Sequence, residues 1–276
     1  MQIRGIFADN NLRYSFNLRA FIFLYLCAMY HYQEYNPDIR LTTWVANYWT
    51  STDFVDTGDT PKVFPDGCTD IIFMIDKTKG IAYAGLFGTI TTFIEVVYTE
   101  GMQMFGIRFK PAGIAAFTRL PVNELTDRAV DLALVETLFN QSFRETIPEK
   151  HSMSEIITYT DDYLINRLSC LYQSDRQIIR AVDLISCTKG QIPLAEVASE
   201  VCLCQRHFER KFKSTIGISP KMFAKISRFK HAMRYLKTTP YKDLLTVAVA
   251  CGYYDHSHLI KDFKTFSGDA PTDLRK

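Results

Sequence analysis

Two tryptophans and ten prolines in 276 residues, seven cysteines without one CxxC pair, and no apolar run of bilayer length exclude several protein classes at once. An odd cysteine count with irregular spacing gives no disulfide framework, and Cys202 and Cys204 stand too close to act as a zinc knuckle. Buried, reduced thiols in a cytoplasmic protein are the expectation. The longest apolar run, residues 20–30 (AFIFLYLCAMY), has 11 residues, where a bilayer needs about 20. Arg13 and Arg19 precede it as in a signal peptide, but no small-x-small cleavage site follows. No membrane partner is expected. Met29 is the expected physiological start, with residues 1–28 an upstream extension, which the intact mass of natively expressed protein tests. A nucleophile–base pair or metal cluster at diagnostic spacing is also missing, so neither an enzyme nor a cofactor nor a metal is expected.

Net charge is small as well, at +2, yet it is unevenly spread. Residues 174–276 hold 18 Lys and Arg against 10 Asp and Glu, leaving 14 against 20 for residues 1–173. A basic half joined to an acidic half implies that one domain meets a polyanion and the other does not. The boundary falls at Tyr172-Gln173-Ser174, a linker without Gly or Pro, which points to closely coupled domains: 29–172 and 173–276.

The first half reads as short strands with glycine turns, followed by helices. Asp66-Gly67 leads into Ile71–Ile75, and further β-type runs cover Ile81–Phe87, Thr91–Tyr98 and Met102–Phe109. Such a pattern predicts a small barrel or curled sheet. Residues 44–49 read as a helix or edge strand ahead of it. Pro111 predicts a helix over Ala112–Arg119, and the periodicity predicts two more, over Val135–Thr146 and Met153–Leu171, the second capped by Ser152 or Ser154. The expected fold is therefore α+β, with an all-α second half of seven helices.

That second half contains a near-repeat. Leu194–Ala198, a short gap, Arg206–Lys213 and Gly217-Ile218-Ser219-Pro220 are echoed by Leu245–Ala248, a gap holding Gly252-Tyr253, His258–Lys264 and Gly268-Asp269-Ala270-Pro271. Each copy is a short helix, a tight turn and an amphipathic helix ending in Phe-Lys, the plan of a helix-turn-helix. Phe208 and Phe212 lie four apart and face the core, so Arg206 and Arg210 share another face. Residues 220–237 between the copies predict a helix about 27 Å long at ~1.5 Å per residue, long enough to hold two recognition helices on one face of a duplex. Its Lys221, Lys225, Arg228, Lys230, Arg234 and Lys237 are candidates for phosphate contact, which positions a protein without reading bases.

On the stretches Arg206–Phe212, Gly217–Pro220 and Gly252-Tyr253 through His258 to Phe263-Lys264, residues 175–276 resemble the C-terminal DNA-binding domain of the AraC/XylS family of bacterial transcriptional regulators. The resemblance implies a sequence-specific regulator acting on double-stranded DNA in the cytoplasm, with RNA polymerase and a second copy of the chain as further partners it allows. It places base reading on Arg206, Glu209 and Arg210, and on His256, Ser257, His258 and Lys261; Lys213, Lys225 and Lys264 are further candidates for DNA contact by their charge. Departures are local: Cys202 replaces a usual turn glycine, Cys204 a usual N-cap serine, and Leu274 a common aromatic. Residues 48–49, 65–73, 106–111 and 124–127 are similar to an N-terminal domain of one branch of these regulators. In the wider family such a domain senses a small molecule or dimerises, and the resemblance names no effector.

Competing readings of single residues stay open at this point. Arg108, alternating with Ile107 and Phe109, holds an anionic ligand or, the favoured reading, forms a structural ion pair. Asp66, Cys68 and Asp70 are better explained by a turn feeding a buried strand than by catalysis. His256 and His258 point to different helix faces and make poor metal co-ligands. The alternatives to an effector-controlled regulator are a DNA binder whose first domain only dimerises and an enzyme with a helical interaction domain. An apolar pocket in the β-rich half favours sensing; a filled barrel favours the dimeriser.

Overall fold

Strand β4 (Thr69–Asp76) shows why the first half folds as it does. Ile71, Phe73 and Ile75 enter one core, while Ile72 and Met74 enter another on the opposite face. A strand buried on both faces carries a nearly continuous apolar run, which is what residues 71–75 are. The computed structural model describes residues 31–52, 61–76, 78–96, 101–135, 138–172, 175–239 and 243–275. The apolar run of residues 20–30 and the proposed start at Met29 lie outside the described residues.

Around β4 stand β1 (His31–Tyr35), β2 (Val45–Thr52), β5 (Gly80–Phe87), β7 (Met102–Phe109) and β8 (Ala129–Asp131), all antiparallel in the order β1-β2-β7-β4-β5-β8. Residues 44–49 are thus mostly part of an inner strand, not a helix or an edge. Tyr48 and Trp49 point to opposite faces, and Trp49 lies over Gly106, where a Cβ would fall 1.9 Å from the indole. A two-stranded ribbon, β3 (Lys62–Val63) with β6 (Ile94–Glu95), covers the Trp49 face.

The other face packs against two helices. Phe139 and Phe143 meet Phe73 edge-on or tilted at 6.2 and 5.9 Å between centroids. Both helices are shorter than the periodicity predicts. Asn140 caps α1 (Gln141–Thr146) by accepting from the Phe143 N–H, and Ser152 caps α2 (Met153–Ile165) by accepting from the Glu155 N–H. After α2 the chain tightens into a 3-10 turn at Leu168–Cys170. Residues 112–119 hold only a 3-10 turn at Ile114–Ala116, because Ala112 adopts φ +69° and breaks the helical path after Pro111.

The second half follows its sequence closely: α3 (Arg176–Cys187), α4 (Leu194–Glu200), α5 (Gln205–Ile216), α6 (Pro220–Thr238), α7 (Leu244–Ala250) and α8 (His256–Ser267). Six α-helices rather than the expected seven stand among the described residues of this half, and a 3-10 turn at Asp273–Arg275 follows them, from which Leu274 enters the core. Helix α6 is the spine of this half. Its Phe223 packs edge-on to Phe212 of α5 at 5.6 Å, and its Phe229 to Phe263 of α8 at 5.0 Å. Of the cysteines described, Cys251 is buried and Cys68 half-buried, while Cys170, Cys187, Cys202 and Cys204 are exposed, against the expectation of buried thiols.

Candidate nucleic-acid interface

The two copies make the same turn out of their first helix. Helices α4 and α7 start 50 positions apart, and in each copy the chain leaves the first helix through a left-handed residue, Cys202 at φ +56° and Gly252 at φ +76°. The following N–H then donates to the same carbonyl: Leu203 to Ala198 and Tyr253 to Ala248, both at 2.9 Å. The second helix of each unit starts immediately afterwards. Asp255 caps α8 through the His258 N–H at 2.7 Å, whereas Cys204 makes no side-chain cap on α5.

Burial separates the faces of these helices as the spacing requires. On α5, Phe208, Phe212 and Ile216 are buried, and Arg206, Glu209, Arg210 and Lys213 are exposed. Gln205 donates to Glu209 at 3.0 Å. On α8, Leu259, Phe263 and Phe266 are buried, while His256, Ser257, Lys261 and Lys264 are exposed. Ser257, Ile260, Lys261, Lys264 and Thr265 line one shallow hollow along that helix. Three or four apart, these residues form a single stripe.

Two of the expected contact residues are engaged elsewhere. His258 is half-buried, its ring edge-on to Tyr253 at 5.2 Å. Lys225 is held by the buried Asp262, Nζ to Oδ1 at 3.2 Å, so it joins α6 to α8. Arg228 of α6 likewise donates inward, to the Gly190 carbonyl at 2.9 Å, and sits over the Tyr253 ring.

The first half grips the second at the far ends of α5 and α8. The Thr89 hydroxyl donates to the Ile216 carbonyl at 2.8 Å and the Thr126 hydroxyl to the Gly217 carbonyl at 2.7 Å. These carbonyls belong to the last turn of α5, where helix geometry leaves acceptors without partners. At the end of α8, Lys62 binds both carboxylate oxygens of Asp269 at 2.8 and 2.9 Å, and Phe93 lies so close to Gly268 that a Cβ there would fall 2.7 Å from the ring. Phe64 inserts into the helical core, edge-on to Phe229 at 6.0 Å. None of these grips was legible in the sequence, because single threonines, phenylalanines and a lysine carry no motif.

Arg108 is buried, and each of its three guanidinium nitrogens meets a carboxylate. Its Nη1 meets Asp66 at 3.2 Å, and its Nε and Nη2 meet Asp70 at 3.0 and 3.1 Å, while Trp49 Nε1 also donates to Asp70 at 3.0 Å. The favoured ion pair is therefore present. Burial works against the Asp66 charge, but Arg108 and Lys230 outweigh it and hold the carboxyl below its usual range. For Asp70 burial prevails over Arg108, and its carboxyl is raised.

Residues 33–131 match the model of a domain of unknown function (DUF6597), and residues 197–276 match that of a helix-turn-helix domain. No curated protein matches the chain. Among solved structures, similarity extends to a transcriptional regulator with an AraC-type DNA-binding domain from Chromobacterium violaceum, 23% identical over 36% of this chain and 88% of that one, with a TM-score of 0.34. The C-terminal domain of AraT, a response regulator from Geobacillus stearothermophilus, is 22% identical over 37% and 84%, with a TM-score of 0.34. ToxT from Vibrio cholerae is 11% identical over 90% and 98%, with a TM-score of 0.39. With a helix-turn-helix model matched at residues 197–276, a second unit built like the first, and the motif stretches seated on both, the chain carries a two-unit helix-turn-helix domain behind a β-rich N-terminal domain.

Proposed function

We propose that the protein reads a specific DNA sequence by placing α5 and α8 in the major groove, and that its β-rich domain controls this reading. The observation that carries the first part is the pair of exposed stripes: Arg206, Glu209, Arg210 and Lys213 on one helix, His256, Ser257, Lys261 and Lys264 on the other. Recognition helices meet base edges with their N-terminal residues, and the domain contacts fall at the opposite ends of both helices. Arginine pairs bidentately with guanine, which suits Arg206 and Arg210 to base reading and the lysines to phosphate. Lys225 and His258 act chiefly by shaping α8. Control by the first domain is supported by the 610 Å³ cavity between its sheet and its β3/β6 ribbon, since a domain that only dimerised needs no such space. The protein acts in the cytoplasm.

Fluorescence anisotropy of the full chain on the DNA upstream of its own gene, against a scrambled duplex and over a salt series, tests the reading. Tighter binding to the native duplex is expected, with affinity for both falling as salt rises because lysine and arginine displace counterions. Arg210→Ala should cost about 1–3 kcal/mol on the specific duplex and much less on the scrambled one. An equal loss on both makes Arg210 a phosphate contact, and no binding at low salt overturns the proposal.

A further inference from the structure

The cavity has apolar walls and an acidic floor. Ile72 and Phe87 from the sheet, Ile90 and Phe93 from the following segment, and Phe64 from the ribbon side supply the walls. Four carboxylates line it, Asp66, Asp70, Glu95 and Asp127, against two guanidiniums, Arg108 and Arg128. Lys230 acts on Asp66 from α6 but is not part of the wall. An entering anion would meet a guanidinium whose Nε, Nη1 and Nη2 are already directed at Asp66 and Asp70. It would also add a third negative charge to a buried pair.

A cation meets the opposite situation. A carboxylate offers about four acceptor positions. Asp66 accepts the Cys68 N–H at 2.9 Å and Arg108, and Asp70 accepts two bonds from Arg108 and one from Trp49, so both keep acceptor capacity. Hydrogen bonds from an ammonium or amidinium to such carboxylates are strong when water is excluded, and aromatic rings such as those of Phe64, Phe87 and Phe93 in the wall attract cations, as the Lys62 ammonium 5.0 Å from the Phe93 centroid does. Burial chiefly, and the neighbouring Asp66 charge in lesser part, raise the Asp70 carboxyl, and Arg108 does not fully offset them.

The same wall touches both recognition helices. Within residues 88–93, Gly88, Ile90 and Phe93 face the cavity, Thr89 holds the end of α5, and Phe93 packs against the end of α8, whose Thr265 itself lines the cavity. We propose that the cavity binds a small apolar cation, an amine or amidine on an aromatic or aliphatic body, and that residues 88–93 pass its presence to α5 and α8 together. The second clause rests on the DNA-reading function proposed above.

The test uses the full chain and three matched pairs: 2-phenylethylamine with 3-phenylpropionate, octylamine with nonanoate, and benzamidine with benzoate. Trp49, hydrogen-bonded to Asp70, supplies a fluorescence signal from the cavity floor, and calorimetry gives the stoichiometry. At least one cation should bind one site per chain below 1 mM and at least tenfold tighter than its anionic partner. Asp70→Asn should weaken that cation at least tenfold, and Ile90→Trp, which occupies the cavity, should abolish its binding even if the first variant is poorly folded. No cation binding by 1 mM, or anions binding equally well, overturns the site. In a separate anisotropy arm, the saturating cation should change the affinity for the specific duplex at least threefold, and an unchanged affinity overturns the coupling. Because the first arm contains no DNA, a failed cation site and a failed DNA-reading function give different results.

Discussion

Cys202 occupies a backbone conformation that suits glycine. Its φ of +56° places its Cβ against the backbone, where the equivalent turn of the second unit has Gly252 at +76°. A left-handed conformation costs an L-residue roughly 1–2 kcal/mol, and glycine's greater freedom in the unfolded chain returns part of that gain. Cys202→Gly should therefore stabilise the protein by about 1 kcal/mol, seen as a higher denaturant midpoint at unchanged slope. A lowered midpoint would show that the exposed thiol side chain contributes a contact worth more than the strain. Arg108 teaches the converse lesson. Alternation in sequence placed it on the face opposite Ile107 and Phe109, but only the fold shows that Asp66 and Asp70 converge on it.

Among the helices of the second half, α5 lacks a side-chain cap that α3, α6, α7 and α8 have. Asp175, Ser219, Asp243 and Asp255 each accept a backbone N–H at the start of their helices, and Cys204 accepts none. Cys204→Ser should add about 0.5–1 kcal/mol and slow amide exchange in the first turn of α5, without changing the exposed stripe. At α7 the side chain of Thr246 and the N–H groups of Thr246 and Leu245 hold the Asp243 carboxyl below its usual range. A depressed carboxylate contributes stability that is present above its unfolded pKa and lost as pH falls through the folded one. The difference in stability between the native chain and Asp243→Asn should thus shrink below about pH 4, and a difference that grows there would assign the cap another role. Helix boundaries in the second half were legible because glycine and proline stops stand at nearly every end: Gly190, Gly217, Pro220, Gly252 and Gly268. In the first half, aromatic residues buried on both faces of β2 obscured the strand alternation. There too, a run of small residues after Pro111 imitated a helix that the positive φ of Ala112 prevents.

At the scale of the whole molecule, particular side-chain groups join the two halves. Thr89 and Thr126 satisfy the carbonyls of Ile216 and Gly217, and an acceptor left buried without a partner costs about 1–3 kcal/mol. The double variant Thr89→Val/Thr126→Val should melt with the helical half partly uncoupled from the β-rich half, and amide exchange should quicken in the last turn of α5. A single unchanged transition would show that Phe64 and the Lys62–Asp269 pair suffice.

The tandem arrangement has a consequence for how the protein lies on a genome. If α5 and α8 read DNA as proposed, α5 offers two arginines, a glutamate and a lysine and α8 a histidine, a serine and two lysines, so the two groove segments they would meet are chemically unlike. One chain then has a head and a tail on its target, in contrast to the palindromic sites that match two-fold dimers. Inverting the target within a promoter would turn the protein end for end, and the face it shows to a neighbouring polymerase would reverse with it.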